Sequence, residues 1–299
     1  MNVDFRHTSS MDHSERVPEL KRNRTDEAVL DILNGSLAEL EQYIASNVEP
    51  RERVSLLIVG APRSGTTYLS QLLASRHEFG YISNLMARFF GAPLTGAWLQ
   101  SRLIRNEMSE LSSLSSAHGV TRRVFEPHEF GYFWARHMPF AGNNHEECDR
   151  KMIPTRLLSL ERELCGIAGV FGKPVVYKSV LPAMVLDVVL QHTSLFVVHL
   201  VRDRRSVVNS ILAARKARFG AEEKWWSLRP KGWEDMSAKP PSDQVRWQVD
   251  RIESAITNAL SCHPMRSVRV DYESIARDPA AMIDHILRGF HVYAGSLDD

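Results

Sequence analysis

Cysteine is scarce in this sequence, and its spacing excludes two classes of structure. The 299 residues contain three cysteines, Cys148, Cys165 and Cys262, which lie far apart and lack the spacing of metal ligands. An odd, scattered set argues against a disulfide framework and against a structural zinc site. We therefore expect the protein to work in a reducing compartment, and the predicted location is cytoplasmic.

The sequence also lacks an excess of charge of either sign. It has 37 basic and 36 acidic side chains, which gives a net charge of +1. This balance provides no overall field that would attract a nucleic acid or an anionic membrane surface. Nucleic acid is therefore not a predicted partner, and any anion-binding site has to be local.

Long hydrophobic runs are missing as well. The first thirty residues carry charged side chains throughout, so neither a signal peptide nor an anchor is predicted there. The most apolar later stretch, residues 175–201, is interrupted by Lys178, Asp187 and His192. That pattern favours strand, helix and strand over a membrane span, and we expect a soluble protein.

The pattern along the chain predicts one main domain with a helical extension. Residues 1–24 are polar and without periodicity, which favours a flexible arm, and residues 25–50 show helical spacing of apolar residues. Strands alternate with helices over residues 51–299, with long excursions near 107–150 and 219–241. This alternation predicts an α/β fold with a doubly wound, mainly parallel sheet of the P-loop nucleotide-binding type.

A glycine-containing loop follows the first buried strand. The segment Gly60-Ala-Pro-Arg-Ser-Gly-Thr-Thr67 joins the apolar run at 54–59 to a helix, a place where backbone N–H groups and the helix dipole favour an anion. Its two glycines have the spacing of a Walker A loop, but Thr66 stands where the Walker lysine belongs. The nearest cation is Arg63, whose guanidinium suits one phosphate or sulfate group.

A second strand-to-helix junction carries another set of basic and hydroxyl residues. Arg202 ends the buried run 195–201, and Ser210 lies two turns into the next helix. Both suit a single phosphate group. Taken alone, the segment also fits a Walker B strand in which Asp203 holds magnesium, or a simple Arg–Asp pair at a helix start.

Together, the two junctions resemble those of the sulfotransferase superfamily. Its first motif, Pro-(Lys/Arg)-Ser-Gly-Thr-Thr, matches residues 62–67 in the arginine form that tyrosylprotein-type and many bacterial enzymes have. The resemblance covers roughly residues 54–290 and is firm only at the two motifs. It implies 3'-phosphoadenosine 5'-phosphosulfate (PAPS) as cosubstrate, without a metal. The implied PAPS-binding residues are Arg63, Ser64, Gly65, Thr66 and Thr67 for the phosphosulfate, with Arg202 and Ser210 for the 3'-phosphate.

The candidate catalytic groups are two cations and a base. Arg63 and Lys178 are placed to stabilise the leaving oxygens, Lys178 because it ends a predicted strand and aligns with a lysine of the tyrosylprotein-type relatives. His128 is the predicted base, since a histidine titrates near neutral pH, and Glu126 is the next choice. Glu129 flanks His128 on the other side and is a candidate to orient it.

The sequence therefore predicts a PAPS-dependent sulfotransferase that acts on a hydroxyl or amine of a small-molecule or carbohydrate acceptor. The acceptor and the oligomeric state are not readable, and Trp225, Trp226 and Trp233 fit either an acceptor lid or ordinary loop packing. Two rival functions stay open. One is an ATP-dependent kinase with a divergent phosphate loop, and the other is a non-enzymatic protein that binds PAP (the desulfated nucleotide) or another nucleotide.

Overall fold

The centre of the molecule is a five-stranded parallel sheet with the strand order β2-β3-β1-β4-β5. The computed structural model describes residues 16–18, 21, 23–48, 54–103, 121 and 123–297. Most of the predicted arm 1–24 and the part of the first excursion before residue 121 lie outside these residues. The strands are β1 (Leu56–Val59), β2 (Gly80–Tyr81), β3 (Val175–Lys178), β4 (Phe196–Val201) and β5 (Ser267–Asp271).

Helices cover both faces of this sheet. The described α-helices are α1 (Arg24–Ser36), α2 (Ala38–Asn47), α3 (Thr66–Ala74), α4 (Pro93–Leu103), α5 (Gly131–His137), α6 (Ile153–Phe171), α7 (Leu186–Leu190), α8 (Arg204–Phe219), α9 (Trp233–Ser237), α10 (Pro241–Ser261), α11 (Tyr272–Arg277) and α12 (Pro279–Gly295). Short 3₁₀ turns occupy Met86–Arg88, Leu181–Val185 and Pro264–Arg266. None of the helices in this described part has the length and apolar content needed to cross a membrane.

Two hydrophobic cores form because side chains of each strand alternate between the faces. Leu57 and Val59 of β1 pack with residues of α6, α8 and α10, whereas Leu56 and Ile58 pack with residues of α3 and α12. All four of these side chains are fully buried. A strand that is buried on both faces needs an unbroken apolar sequence, which is what residues 56–59 provide.

The N-terminal helices are attached to the domain by polar side chains. The buried Asn34 of α1 donates from its Nδ2 to the carbonyl oxygen of Arg88 at 2.8 Å. On α2, the Glu41 carboxylate accepts the backbone N–H groups of Leu94 and Thr95, each at 2.8 Å. These two N–H groups belong to the first turn of α4, where a helix lacks internal partners, so the carboxylate stabilises that helix start.

The sheet register brings three loops to one edge. β1 pairs in parallel with β3 and β4, so that Ile58 lies beside Lys178 and Val59 beside His199. The loops that follow these three strands therefore meet at the carboxyl edge of the sheet, where open α/β sheets bind ligands. The predicted fold class, including the helical N-terminal extension, is confirmed.

One element inside the first excursion was not assigned from the sequence. Helix α5 is only seven residues long, and it buries Phe133 and Trp134 in the core. Phe133 stacks on Phe130 with ring centroids 4.5 Å apart. A helix of seven residues shows little hydrophobic periodicity, so its sequence does not predict it. Its stability comes from aromatic side chains that pack against residues distant in sequence.

Candidate functional site

The loop between β1 and α3 is tight enough to require its two glycines. A Cβ atom on Gly60 would lie 2.3 Å from the carbonyl oxygen of Leu200, and one on Gly65 would lie 2.3 Å from the Tyr272 ring. Gly65 has a φ of 102°, and Arg63 within the loop has a φ of 73°. Positive φ in a residue other than glycine is uncommon and often marks a functional loop.

This loop leads directly into the N-terminus of α3, which begins at Thr66. The first backbone N–H groups of a helix have no partner within it and point towards the preceding loop. Ser64 is fully buried, and its hydroxyl has no hydrogen-bond partner among the described residues. The N-terminus of a helix, its dipole and the buried Ser64 hydroxyl at one place make this loop suited to an anion.

A carboxylate from α10 holds the start of the loop. Glu253 accepts the backbone N–H of Ala61 at 3.1 Å with one oxygen, and its other oxygen lies 2.9 Å from Nε2 of His199 on β4. The loop is thereby tied to a strand and to a helix that lie far from it in sequence. No sequence pattern predicts this contact, because the three residues share no motif.

The second junction lies against the first. Arg202 donates from Nη1 to the carbonyl oxygen of Arg63 at 3.1 Å, and Arg63 donates from Nε to the hydroxyl of Ser210 at 3.0 Å. The guanidinium of Arg202 also stacks on the Tyr272 ring, 4.5 Å from its centroid. The two motifs predicted from the sequence therefore form a single surface, with Tyr272 beneath both Gly65 and Arg202.

The electrostatics of this surface favour an anion. Burial lowers the pKa of Arg63, and the neighbouring positive charge of Arg202 lowers it further, while Glu129 opposes this effect. Two guanidinium groups held side by side repel each other, and a bound anion removes that repulsion. Asp203 lies at the start of α8, and its Oδ1 caps that helix by accepting the N–H of Ser206 at 2.8 Å. The hydrogen bonds from Ser206 lower the pKa of Asp203.

Lys178 connects the loop to the excursion. Its side chain is 6% exposed, and its Nζ donates to the hydroxyl of Thr67 at 2.9 Å. The same Nζ pairs with Oε1 of Glu129 at 2.6 Å, although the Glu129 side chain is 47% exposed. Lys178 therefore links the solvent-exposed carboxylate of Glu129 to Thr67 in the first turn of α3.

The segment 125–130 contains the three acid–base candidates, and their contacts differ. His128 accepts the backbone N–H of Phe130 with its Nδ1 at 2.9 Å, at the start of α5. Glu126 is 5% exposed and accepts the backbone N–H of Arg123 with its Oε2 at 2.9 Å. Glu129 makes the ion pair with Lys178. The structure thus connects Glu129 through Lys178 to Thr67 of the loop after β1. The sequence predicts Glu129 only as a group that orients His128.

Glu129 is held in its ionised form. Partial desolvation of this half-exposed carboxyl would raise its pKa, but the charge and hydrogen bond of Lys178, with the charges of His128 and Arg218, lower the pKa below its ordinary value of 4.5. A carboxylate with a lowered pKa accepts hydrogen bonds and takes up a proton only when the partner donates one during a reaction.

Metal ligands are not grouped in the described part of the chain. Residues 16–18, 21, 23–48, 54–103, 121 and 123–297 contain no group of three or more His, Cys, Asp or Glu side chains that could hold a metal ion.

The comparisons with known proteins point to one family. A model described as the sulfotransferase family matches residues 55–293. The structure is similar to that of the sulfotransferase STF9 from Mycobacterium avium, with a TM-score of 0.61, 12% identity, and coverage of 97% of this chain and 78% of that one. It is also similar to the sulfotransferase STF1 from Mycobacterium tuberculosis H37Rv, with a TM-score of 0.55, 13% identity, and coverage of 90% and 76%. No curated protein matches the chain.

Proposed function

The chain belongs to the sulfotransferase family, and from this membership we propose that it transfers a sulfuryl group from PAPS to a hydroxyl or amine of an acceptor. The products are PAP and the sulfated acceptor. The observation that carries the proposal is the set of contacts that joins Glu129, Lys178 and Thr67 at the phosphate loop. These contacts support the proposal because they join a carboxylate, a cation and the loop to which we assign the anion.

The 5'-phosphosulfate is assigned to the loop after β1. Backbone N–H groups at the start of α3 bind its oxygens, together with Arg63 and the hydroxyls of Ser64, Thr66 and Thr67. This assignment is supported by the tight loop that Gly60 and Gly65 permit, since a Cβ at either position would lie 2.3 Å from the Leu200 carbonyl oxygen or from the Tyr272 ring. It also uses the Ser64 hydroxyl, which has no partner among the residues described.

The 3'-phosphate is assigned to Arg202 and Ser210. Arg202 is oriented by its stacking on Tyr272 and by its bond to the Arg63 carbonyl. Ser210 contacts Arg63, which is assigned to the phosphosulfate, so the 3'-phosphate gains two polar partners, Arg202 and Ser210. Arginine forks suit such phosphate groups because two N–H bonds form in parallel.

The reaction we propose is an in-line displacement at sulfur. The acceptor oxygen or nitrogen forms a bond to sulfur while the bond from sulfur to the bridging oxygen breaks, and that electron pair stays on the 5'-phosphate of PAP. Arg63 and Lys178 stabilise the charge that develops on the leaving oxygens. The proton of the acceptor group passes to a base.

We propose Glu129 as this base. In neutral His128 the Nδ1 atom accepts the Phe130 N–H, so the ring proton is on Nε2. The single lone pair of this tautomer, on Nδ1, is therefore used in that hydrogen bond and does not face an acceptor's proton. Glu129 is ionised, is open to solvent and contacts Lys178. His128 and Glu126 stay predictions, and substitutions at each of the three residues distinguish them.

The test is to incubate the protein with PAPS and a panel of small-molecule and carbohydrate acceptors and to detect sulfated products by mass spectrometry. We expect a product that carries one added sulfate group and depends on PAPS, together with PAP binding measured by calorimetry. Phosphorylated products with ATP and magnesium, and no effect of PAPS, would instead support a kinase. Tight PAP binding without any sulfated product would support a non-enzymatic nucleotide-binding protein.

A further inference from the structure

Tyr272 lies beside Arg202 because of the register of the sheet. Strand β5 pairs in parallel with β4, and Asp271, the last residue of β5, lies beside Val201, the last residue of β4. The residues that follow, Tyr272 and Arg202, therefore leave the carboxyl edge of the sheet as neighbours. The Cζ atom of Arg202 lies 4.5 Å from the centroid of the Tyr272 ring.

The Tyr272 ring also contacts the loop after β1. A Cβ on Gly65 would lie 2.3 Å from Cδ2 and 2.6 Å from Cε2 of this ring, so the ring occupies the space that a side chain at position 65 would need. Tyr68 of α3 meets the same ring edge-on, with the centroids 6.4 Å apart. One aromatic ring is therefore packed between the two predicted phosphate motifs, against the loop after β1 and against the Arg202 guanidinium.

The contacts of Arg202 orient its guanidinium without neutralising it. Its Nη1 donates to the carbonyl oxygen of Arg63 at 3.1 Å, and the Tyr272 ring supports it from the other motif. A carbonyl oxygen and an aromatic ring carry no net charge, so the positive charge of Arg202 stays available for an anion. An arginine that is held in one orientation before binding also loses less conformational entropy when a phosphate arrives.

We propose that Tyr272 is a positioning residue for Arg202 and thereby makes the protein select nucleotides that carry a phosphate at the 3' position. This inference rests on the proposed function, in which Arg202 binds that phosphate, and it names a residue that determines specificity for the donor. The ring acts through the guanidinium. Without the ring, the guanidinium has to be ordered at the moment of binding, and this cost applies only to a nucleotide with a 3'-phosphate.

The test compares PAP with adenosine 5'-monophosphate (AMP), which lacks the 3'-phosphate. Calorimetry gives the ratio of the two affinities for the unmodified protein, Tyr272→Leu and Tyr272→Phe. Ordering one long side chain weakens binding by about two- to tenfold, so the preference for PAP should fall by that factor in Tyr272→Leu. Tyr272→Phe keeps the ring and should keep the preference. A purely structural role would weaken both nucleotides equally, and an unchanged ratio in Tyr272→Leu would therefore overturn the inference.

Tyr293→Leu is the matched control, because it also removes a ring that an arginine contacts. The Cζ atom of Arg266 lies 5.5 Å from the centroid of the Tyr293 ring, and neither residue is assigned to the nucleotide. We expect this variant to lose stability, since Tyr293 is buried, and to keep the preference for PAP over AMP. An equal fall of the ratio in Tyr293→Leu and Tyr272→Leu would show a general loosening of the fold and would contradict the assignment to Tyr272.

A doubly substituted protein shows whether the ring acts through Arg202. In Arg202→Ala the preference for PAP should already be low, and adding Tyr272→Leu should lower it no further. A further fall would mean that the ring contacts the nucleotide directly, against the inference. If Tyr272→Leu does not fold, Tyr272→Met takes its place in both experiments, because its longer side chain fills more of the space but has no aromatic face.

The outcomes for the unmodified protein separate this inference from the proposed function. Failure of PAP to bind at all would overturn the proposed function. PAP binding that is tighter than AMP binding, by the same ratio with and without the Tyr272 ring, would overturn only the role of Tyr272.

Discussion

Replacement of Glu129 by Gln tests the proposed base most directly. The amide oxygen of glutamine still accepts the hydrogen bond from Lys178 Nζ, which now lies 2.6 Å from Glu129 Oε1. The change therefore keeps the shape of the site and removes the carboxylate that would take up the acceptor's proton. Glu126→Gln is the matched comparison, because it makes the same chemical change at the other candidate carboxylate, three residues away.

The expected loss follows from the usual contribution of a positioned base. General base catalysis contributes about 10² to 10⁴ in rate, so kcat of Glu129→Gln should fall by that factor. This corresponds to about 2.7 to 5.4 kcal/mol of transition-state stabilisation. Affinity for PAP should be kept or increased, since a negative charge has been removed beside the cations to which we assign the nucleotide.

The dependence of kcat/KM on pH gives independent information about the base. A carboxylate acts as a base above its pKa, and the pKa of Glu129 lies below 4.5. Activity should therefore stay level from neutral pH down to mildly acidic pH and fall only as the pH passes through that lowered pKa. A histidine base would instead lose activity around pH 6.5. Full activity in Glu129→Gln, or loss of turnover in His128→Ala with intact PAP binding, would refute the assignment.

Three further substitutions test how the site is held. Arg202→Ala should weaken PAP binding by about 10- to 100-fold, as measured by calorimetry, because a charge-assisted contact to phosphate is lost; an unchanged affinity would contradict the 3'-phosphate assignment. Gly65→Ala places a Cβ 2.3 Å from the Tyr272 ring at a φ of 102°. The backbone strain alone should lower the free energy of unfolding by about 1–2 kcal/mol, and equal denaturation curves would disprove this reasoning. Glu253→Ala leaves the Ala61 N–H without its acceptor and should cost about 1–3 kcal/mol in the same assay, whereas an undisturbed midpoint would show that the bond is dispensable.

Much of the fold could be predicted from the sequence because its strands are short, fully buried runs with clear ends. The run at 54–59 stops at Gly60, and the run at 195–201 stops at Arg202; the observed strands Leu56–Val59 and Phe196–Val201 lie within these limits. The strand order was not predictable in the same way. It depends on which buried strands pair, and apolar runs buried on both faces carry no pattern that distinguishes one partner from another.

In the candidate site, too, the residues with local contacts were predictable from the sequence and their distant partners were not. The two predicted phosphate motifs are local, since glycine spacing and the position of Arg202 at a strand end determine where backbone and side chains point. The partners that complete them are distant: Lys178 meets Glu129 of the excursion, and Ala61 meets Glu253 of α10. No periodicity links such pairs, so only the folded chain reveals them.

The choice among the base candidates depends on one local contact and one distant contact. Reasoning from ordinary pKa values favours His128, because histidine titrates closest to neutral pH. The hydrogen bond from the Phe130 N–H occupies the Nδ1 lone pair of that ring, and the ion pair with Lys178 keeps its neighbour Glu129 ionised. A base needs an available lone pair in the site. In this segment the backbone geometry occupies the lone pair of His128, so Glu129 is the residue that we propose as the base.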